Sequence, residues 1–282
     1  MKLMKISFTK MHGLGNDFMI LDSTGKSLEL SAEKIKVLSN RNFGVGFDQL
    51  LLIEKATSET VDFHYRIFNI DGSEVQHCGN GARCFATYVH EKGLTDKNPI
   101  KVSTTNRTLS LTINDDGEVS VDMGSPEFNP AMIPFLSASK LPIYERSIEI
   151  SGEESVILFS ALSMGNPHAV ISVEDLTKTA VKDIGEALCN HSDFPEGVNV
   201  NFMEILSRNE IRLRVFERGT GETLACGTGA CAAVVAGRLL KKLDAKVKVK
   251  LPGGTLEVCW NLDHSVTMKG PTQTVYEGII EL

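Results

Sequence analysis

The sequence predicts an α+β protein of two similar domains, each a curved, mainly antiparallel sheet around a central helix. Three observations predict it. The chain is written twice, strand patterns outnumber helical ones, and a helical segment of the second copy is apolar enough to need wrapping. At an offset of 148 residues, 66–82 (RIFNIDGSEVQHCGNGA) fall on 214–230 (RVFERGTGETLACGTGA), with seven of 17 positions identical. At an offset of 150, residues 15–20 (GNDFMI) meet 165–170 (GNPHAV), and 49–54 (QLLLIE) meet 199–204 (NVNFME). A period this long marks a domain duplication and not a solenoid.

Each element follows in order. In the first copy an apolar strand comes after Gly15, then a short helix over 32–40 with Ser31 as its N-cap. Strands at 49–54 and 63–68 lead to Cys78, and a helix begins right after it. Ala82, Phe85, Ala86 and Val89 stand at i, i+3, i+4 and i+7 on one face of that helix, and Gly93 closes it. Strands at 100–105, 108–114 and 118–123 complete the copy. The second copy repeats the plan, with a strand after Gly165, a helix over 181–190, strands at 199–204 and 211–216, and a helix after Cys226. Residues 230–236 are apolar on every side, which implies a helix buried all round. Strands at 247–251, 255–260 and 265–269 follow. The join lies near the proline-rich stretch 126–142, dividing the chain into domains 1–126 and 127–271.

At 282 residues the chain is long enough for two cores of ordinary size. A net charge of −7 excludes a nucleic-acid binder, which needs a basic face, and offers nothing to anionic membranes. The first residues (MKLMKISFTKMHG) lack an apolar run of signal length and no stretch approaches a membrane span, so a cytoplasmic enzyme is expected. Six cysteines suit free thiols better than disulfides in an unsignalled chain of this size. Their spacing is not that of a zinc site, and no metal is expected.

Two of the cysteines have a distinctive setting. Cys78 and Cys226 each precede Gly-x-Gly-Ala at a helix start. A helix N-terminus leaves backbone N–H groups unpaired and carries about half a positive charge. Gly79 and Gly81, and Gly227 and Gly229, let a ligand approach that backbone, which makes an anion cradle suited to a carboxylate or phosphate. The same field is expected to lower the thiol pKa of both cysteines. Facing each other across a domain interface, two such thiols suit inversion at a carbon bearing an acidic proton, one removing it while the other delivers one. Neither a metal nor pyridoxal is demanded, and no cofactor is expected. Phosphate binding of the GxxxxGK[ST] or Rossmann type is disfavoured by spacing. Cys84, Cys189, Cys231 and Cys259 lack this setting and are expected to be structural.

The chain resembles the cofactor-independent amino-acid racemase family, and within it the diaminopimelate epimerases. The likeness rests on KMHGLGNDFMILD (10–22), FDQLLLIE (47–54), FNIDGSEVQHCGNGARC (68–84), MGNPHAV (164–170), PEGVNVNF (195–202) and ERGTGETLACGTGA (217–230). It implies reversible conversion of LL- to meso-diaminopimelate, in lysine and peptidoglycan precursor synthesis, at a site in the cleft between two lobes. The C-terminal strand near 272–282 is implied to return to the first lobe. Cys78 and Cys226 are implied as the catalytic pair. Gly79–Asn80 and Gly227–Thr228 are implied to hold the reacting carboxylate. Asn16, Gln49, Asn69, Asn166 and Asn199 are implied to line the substrate pocket with Glu217 and Arg218, while His168 and Glu217 tune the thiols. The ligand is a double zwitterion, so its distal carboxylate suits the bidentate fork of Arg218, and neutral Asn and Gln oxygens suit its ammonium groups. Across the repeat Asn16 pairs with Asn166, Gln49 with Asn199, and Asn69 with Glu217, so equivalent positions stayed polar. His77 adjoins Cys78 and is expected to influence it. The partner implied is a small-molecule substrate, with a homodimer left open. Proline racemases and phenazine-pathway isomerases are disfavoured, the former for lacking the Glu217–Arg218 pair and the latter for lacking paired cysteines. Outside this fold, a redox protein using the same thiols and a non-catalytic metabolite binder are the rivals.

Overall fold

The structure is a computed structural model, and it describes residues 5–75, 78–150, 152–262 and 264–281. It has two compact units, Met1–Asp122 with Gly270–Leu282, and Met123–Lys269.

The first unit opens with a strand that the apolar pattern did not announce, β1 (Lys5–Gly13), hairpinned to β2 (Asn16–Asp22). Leu14 and Gly15 turn the corner at φ 58° and 86°, a region that favours glycine. The helix α1 (Ala32–Ser39) starts at Ser31, whose side chain accepts the Lys34 N–H, and carries the chain over to β3 (Gln49–Lys55). Such a crossover delivers a parallel neighbour, and β2 and β3 are parallel, with Phe18 opposite Gln49. β4 (Phe63–Asn69) and the short β5 (Glu74–Val75) continue antiparallel. Then come the 13-residue helix α2 (Gly79–Glu91) and strands β6 (Ile100–Ser103), β7 (Thr108–Ile113) and β8 (Val119–Asp122). Helix α1 packs Ile35 and Leu38 with Met19, Leu21, Leu50 and Leu52 on one face of the sheet. On the other face α2 lies against β1, β2, β3, β7 and β8, burying Ala82, Phe85, Ala86 and Val89. A sheet covered on both sides has no polar face, which is why FMIL and LLLI read as unbroken apolar runs.

In the second unit the proline-rich stretch is more than a join. Ile133 and Phe135 within it are buried, and Phe135 stacks on Phe194 at 4.6 Å. The hairpin β9 (Tyr144–Ile150) and β10 (Glu153–Ser163) follows, then β11 (Pro167–Val173), α3 (Val181–Cys189), β12 (Asn199–Ser207), β13 (Glu210–Glu217) and β14 (Gly221–Thr223). Helix α4 (Gly227–Leu239) is buried at every residue from Gly229 to Gly237, and β15 (Lys246–Leu251), β16 (Gly254–Cys259) and β17 (Thr267–Gly270) close the set. Finally β18 (Gln273–Glu281) pairs antiparallel with β1, within the first unit.

Strand registers repeat between the units as they do in the sequence. Phe18 opposite Gln49 becomes His168 opposite Asn199, and Leu50 opposite Phe68 becomes Val200 opposite Phe216. Hairpin pairs Phe68–Glu74 and Phe216–Glu222 correspond, and each hairpin carries the same bidentate ion pair. In the first, Arg66 Nε and Nη2 reach Glu74 at 2.9 and 2.7 Å; in the second, Arg214 reaches Glu222 at 2.6 and 2.8 Å. A duplicated sequence has folded as a duplicated structure.

Candidate active site

Cys78 stands at the N-cap of α2 with extended backbone (φ −141°, ψ 116°), and its carbonyl accepts the Ala82 N–H at 2.9 Å. Its Sγ receives the Gly81 N–H at 3.5 Å. Asn16, the first residue of β2, lies beside it. Asn16 Oδ1 is 3.7 Å from Cys78 Sγ and accepts from Asn80 Nδ2 at 3.2 Å, while Asn16 Nδ2 donates to Asp48 at 3.2 Å. Arg41 bridges Asp17 (2.9 and 2.9 Å) and Asp48 (2.8 Å), and the buried Lys10 pairs with Asp17 at 2.6 Å. Burial works to raise the Asp17 pKa, but hydrogen bonds from Arg41 and Lys10 outweigh it and hold the group at about 2. Asn16 is thus anchored by an ionised network. One step away in the ladder, Gln49 Nε2 donates to Asn69 Oδ1 at 3.0 Å, and Asn69 Nδ2 to Ser73 Oγ at 3.3 Å.

The second unit builds the matching corner differently. Cys226 caps α4 (φ −122°, ψ 109°) and its side chain is 5% exposed as a residue. Its Sγ–H donates to Glu217 Oε2 at 3.2 Å, and Thr228 Oγ1 lies 3.6 Å from the sulfur. Thr223 Oγ1 donates to the other Glu217 oxygen at 2.5 Å. Asn166 Nδ2 donates to Thr228 Oγ1 at 3.3 Å, and His168 Nε2 meets Asn166 Oδ1 at 3.0 Å. Asn199 Nδ2 donates to the Pro167 carbonyl at 3.2 Å while its Oδ1 accepts the Arg218 N–H at 3.0 Å, and Arg218 Nη1 donates to the Glu196 carbonyl at 2.9 Å.

The sequence-derived residues therefore gather into two corners. Asn16, Asn80 and Cys78 meet in the first unit, with Gln49 and Asn69 paired beside them; Asn166, His168, Asn199, Glu217, Arg218, Thr228 and Cys226 form linked contacts in the second. Gly79 and Gly227 are buried first residues of their helices. His77, expected to influence Cys78, lies outside the described residues.

One expectation needs correcting. The helix-end field was expected to lower both thiol pKa values. For Cys226 the pKa is instead raised well above the usual thiol value, first by burial and then by the Glu217 carboxylate, which together outweigh the helpful contacts from Thr228 and Gly229. Desolvation at a fully enclosed sulfur exceeds what half a helix charge can return. His168 is fully buried, and burial drives its pKa down to about 3, so its ring is neutral. Cys84, Cys189 and Cys231 are buried cysteines, and burial pushes the Cys84 thiol up to about 12, which leaves it inert. Among the described residues no group of three His, Cys, Asp or Glu side chains could hold a metal.

Sequence reasoning missed Asn201, Thr223, Asp17 and Asp48. Asn201 had a readable signal. In VNVNF it shares a strand face with Asn199, and two asparagines on one face of a buried strand demand partners. At the equivalent place in the first unit stands Leu51. The glycines show the consequence. A Cβ on Gly81 would meet Leu51 and Phe18 at 3.3 Å, a tight contact that a few tenths of an ångström relieves, whereas one on Gly229 would meet Asn201 Oδ1 at 2.5 Å. Gly229→Ala is therefore expected to destabilise the protein by about 1–3 kcal/mol and Gly81→Ala by clearly less. Thermal unfolding of the two variants measures the difference, and equal losses would refute it.

Comparison with known proteins follows the same lines. The family model for diaminopimelate epimerase matches residues 8–129 and 160–275. A curated relative, the diaminopimelate epimerase of Cupriavidus pinatubonensis (strain JMP 134 / LMG 1197), is 51% identical over 286 residues, covering 99% of this chain and 98% of its own. Among solved structures, a hydroxyproline epimerase from Agrobacterium vitis with bound trans-4-hydroxy-L-proline superposes with TM-score 0.70 at 15% identity, covering 99% of this chain and 93% of its own. A phenazine biosynthesis protein of the PhzF family from Bacillus anthracis gives 0.67 at 17% identity, covering 98% and 99%. At such identities these two likenesses speak for the fold alone. With 51% identity end to end and its motifs in two matching corners, the chain belongs to the diaminopimelate epimerase family.

Proposed function

We propose that this protein interconverts LL- and meso-2,6-diaminopimelate by inverting one α-carbon, with Cys78 and Cys226 as the pair that removes and delivers the proton. The observation that carries the reading is the state of Cys226: a buried thiol whose proton is directed at Glu217. A two-base inversion needs one acid and one base ready at once. Cys226 is the acid in the direction that starts from this state, so Cys78 is the base. On losing its proton Cys78 gives up the long contact to Asn16 Oδ1, while the Gly81 N–H contact gains from the negative charge.

As the proton leaves carbon, charge spreads into the substrate carboxylate. The N–H groups at the starts of α2 and α4, at Gly79–Asn80 and Gly227–Thr228, suit that developing charge. Glu217 suits a substrate ammonium, whose arrival neutralises the carboxylate that otherwise opposes a thiolate at Cys226. Arg218, with its backbone and one guanidinium nitrogen already fixed, suits the distal carboxylate. Asn16, Gln49, Asn69, Asn166 and Asn199 offer neutral partners for the polar groups between. Arg218→Gln removes the fork and is expected to raise KM while leaving binding of the reacting end intact.

No helix among the described residues is long and apolar enough to cross a membrane; the cytoplasm is the proposed location, supported by the biosynthetic role of the family. The test is direct. Purified protein with LL-diaminopimelate should yield the meso isomer on chiral chromatography, with L-proline left unchanged under the same conditions. Racemised proline and unaltered diaminopimelate would overturn the reading.

A further inference from the structure

His168 and Asn201 are a buried polar pair where the first unit has the apolar pair Phe18 and Leu51. His168 is fully buried and Asn201 fully buried, on adjacent parallel strands. A duplicated frame that packs well with Phe and Leu has no packing reason to accept an imidazole and an amide. Their geometry supplies another reason. Asn201 Nδ2 lies 3.1 Å from His168 Nδ1, 3.1 Å from the Ala169 carbonyl and 3.2 Å from the Asn199 carbonyl. Both carbonyls only accept, so the atom facing them must be the amide nitrogen, and the flipped amide is excluded. The two amide hydrogens are shared among these three contacts, and because an amide nitrogen has no lone pair to accept an Nδ1–H, the His168 Nδ1 facing it is the bare, accepting nitrogen. The ring proton sits on Nε2.

From there every donor has one direction to point. His168 Nε2–H donates to Asn166 Oδ1 (3.0 Å), and this fixes the Asn166 amide so that Nδ2 donates to Thr228 Oγ1 (3.3 Å). With its oxygen so engaged, the Thr228 hydroxyl donates to Cys226 Sγ (3.6 Å), and the thiol donates onward to Glu217 (3.2 Å). The chain runs one way from Asn201 to Glu217. We propose that Asn201 is a positioning residue for Cys226: it fixes His168 as the Nε2–H tautomer, and that tautomer sets the donor direction which aims the Cys226 proton at Glu217 and leaves the sulfur's lone pairs facing the Thr228 hydroxyl. With the opposite tautomer, Asn166 would turn its amide, donate to the histidine and offer its oxygen to Thr228, pulling the hydroxyl proton away from the sulfur. The neutral ring, kept so by burial, is what makes a single tautomer meaningful.

The proposal rests on Cys226 being catalytic, and its test separates the two. Long-range 1H–15N correlation spectra of the full-length protein, with 15N-labelled histidine and His168 assigned by its disappearance in His168→Gln, report the tautomer directly. The wild type is expected to show Nε2 protonated and Nδ1 bare throughout the neutral range. Asn201→Leu, the side chain accepted at position 51 of the first unit, is expected to lose that pure tautomer and to lower kcat about tenfold or more with KM within about twofold. Asn201→Ser serves in the same two measurements if the leucine variant does not fold. Nδ1 protonation in an active wild type overturns the proposal and leaves the epimerase reading standing. So does a folded variant with the wild-type tautomer, or one with an altered tautomer and unaltered kcat. A wild type that turns over no diaminopimelate overturns the underlying reading instead.

Discussion

Cys78→Ala and Cys226→Ala are each expected to lower kcat/KM for LL-diaminopimelate by at least about 10³-fold, with the fold unchanged. Each removes one of two groups that must act in the same event, so neither survivor can complete an inversion alone. For the same reason the double variant is expected to be no more than about tenfold worse than either single one, since groups acting as a unit are not additive. Stability should barely move at Cys78, which is partly exposed, and should fall slightly at the buried Cys226. Alanine at Cys84 or Cys231 makes the control: both are buried thiols off the helix caps, and their loss should affect stability more than turnover. Steady-state kinetics with circular dichroism on the set decides it, and a single-cysteine variant with more than a tenth of wild-type activity would defeat the paired-thiol account.

Glu217→Gln carries the second large effect. Two of the influences raising the Cys226 pKa come from Glu217, its charge and its hydrogen bond. Their removal lowers that pKa, although burial still holds it up. The sign in a rate profile follows. With Cys226 as the proposed acid, activity is expected to fall at high pH as the thiol ionises, and a lower pKa brings that alkaline limb to lower pH. The isosteric amide also forfeits the anionic partner for a substrate ammonium. Together these are expected to cut kcat/KM about 10²-fold or more, with the alkaline limb displaced downward and faster alkylation of Cys226 at neutral pH. An alkaline limb that stays put or moves upward would show that Glu217 does not hold the proton on Cys226.

Much of this architecture could be read before any coordinates, because duplication writes the same physical constraint twice. The Cys-Gly-x-Gly-Ala starts of α2 and α4, the parallel-strand runs FMIL and LLLI, and the wholly apolar α4 each have one dominant local cause. What escaped were features with distributed causes. Strand β1 alternates imperfectly in the sequence and is held between β2 and β18, the latter arriving from the far end of the chain. The hairpin β9–β10 emerges from a proline-rich stretch that composition marks as a join. The residues with motif context lie in two hydrogen-bonded corners, but the pKa of Cys226 runs opposite to the sequence expectation. A helix-end field is visible from a glycine pattern, and Glu217 is implied by the resemblance to tune a thiol, but the burial of Cys226 and the upward direction of the shift become visible only in three dimensions. Asn201 lies outside the paired polar positions of the repeat, since Leu51 stands at its equivalent, and its one signal in the sequence is the same-face neighbour Asn199.

The paired-thiol mechanism is tested most directly by following the first turnovers of LL-diaminopimelate in D₂O. Two bases in place imply that the proton removed from one face stays on Cys78 while a solvent-derived deuteron arrives from Cys226. Early meso product should therefore carry one deuterium at the inverted carbon, while recovered LL substrate remains essentially unlabelled, and neither cysteine-to-alanine variant should form labelled product. Early meso product that retains the substrate's own proton would contradict the account, since only a single base returning what it took could produce it.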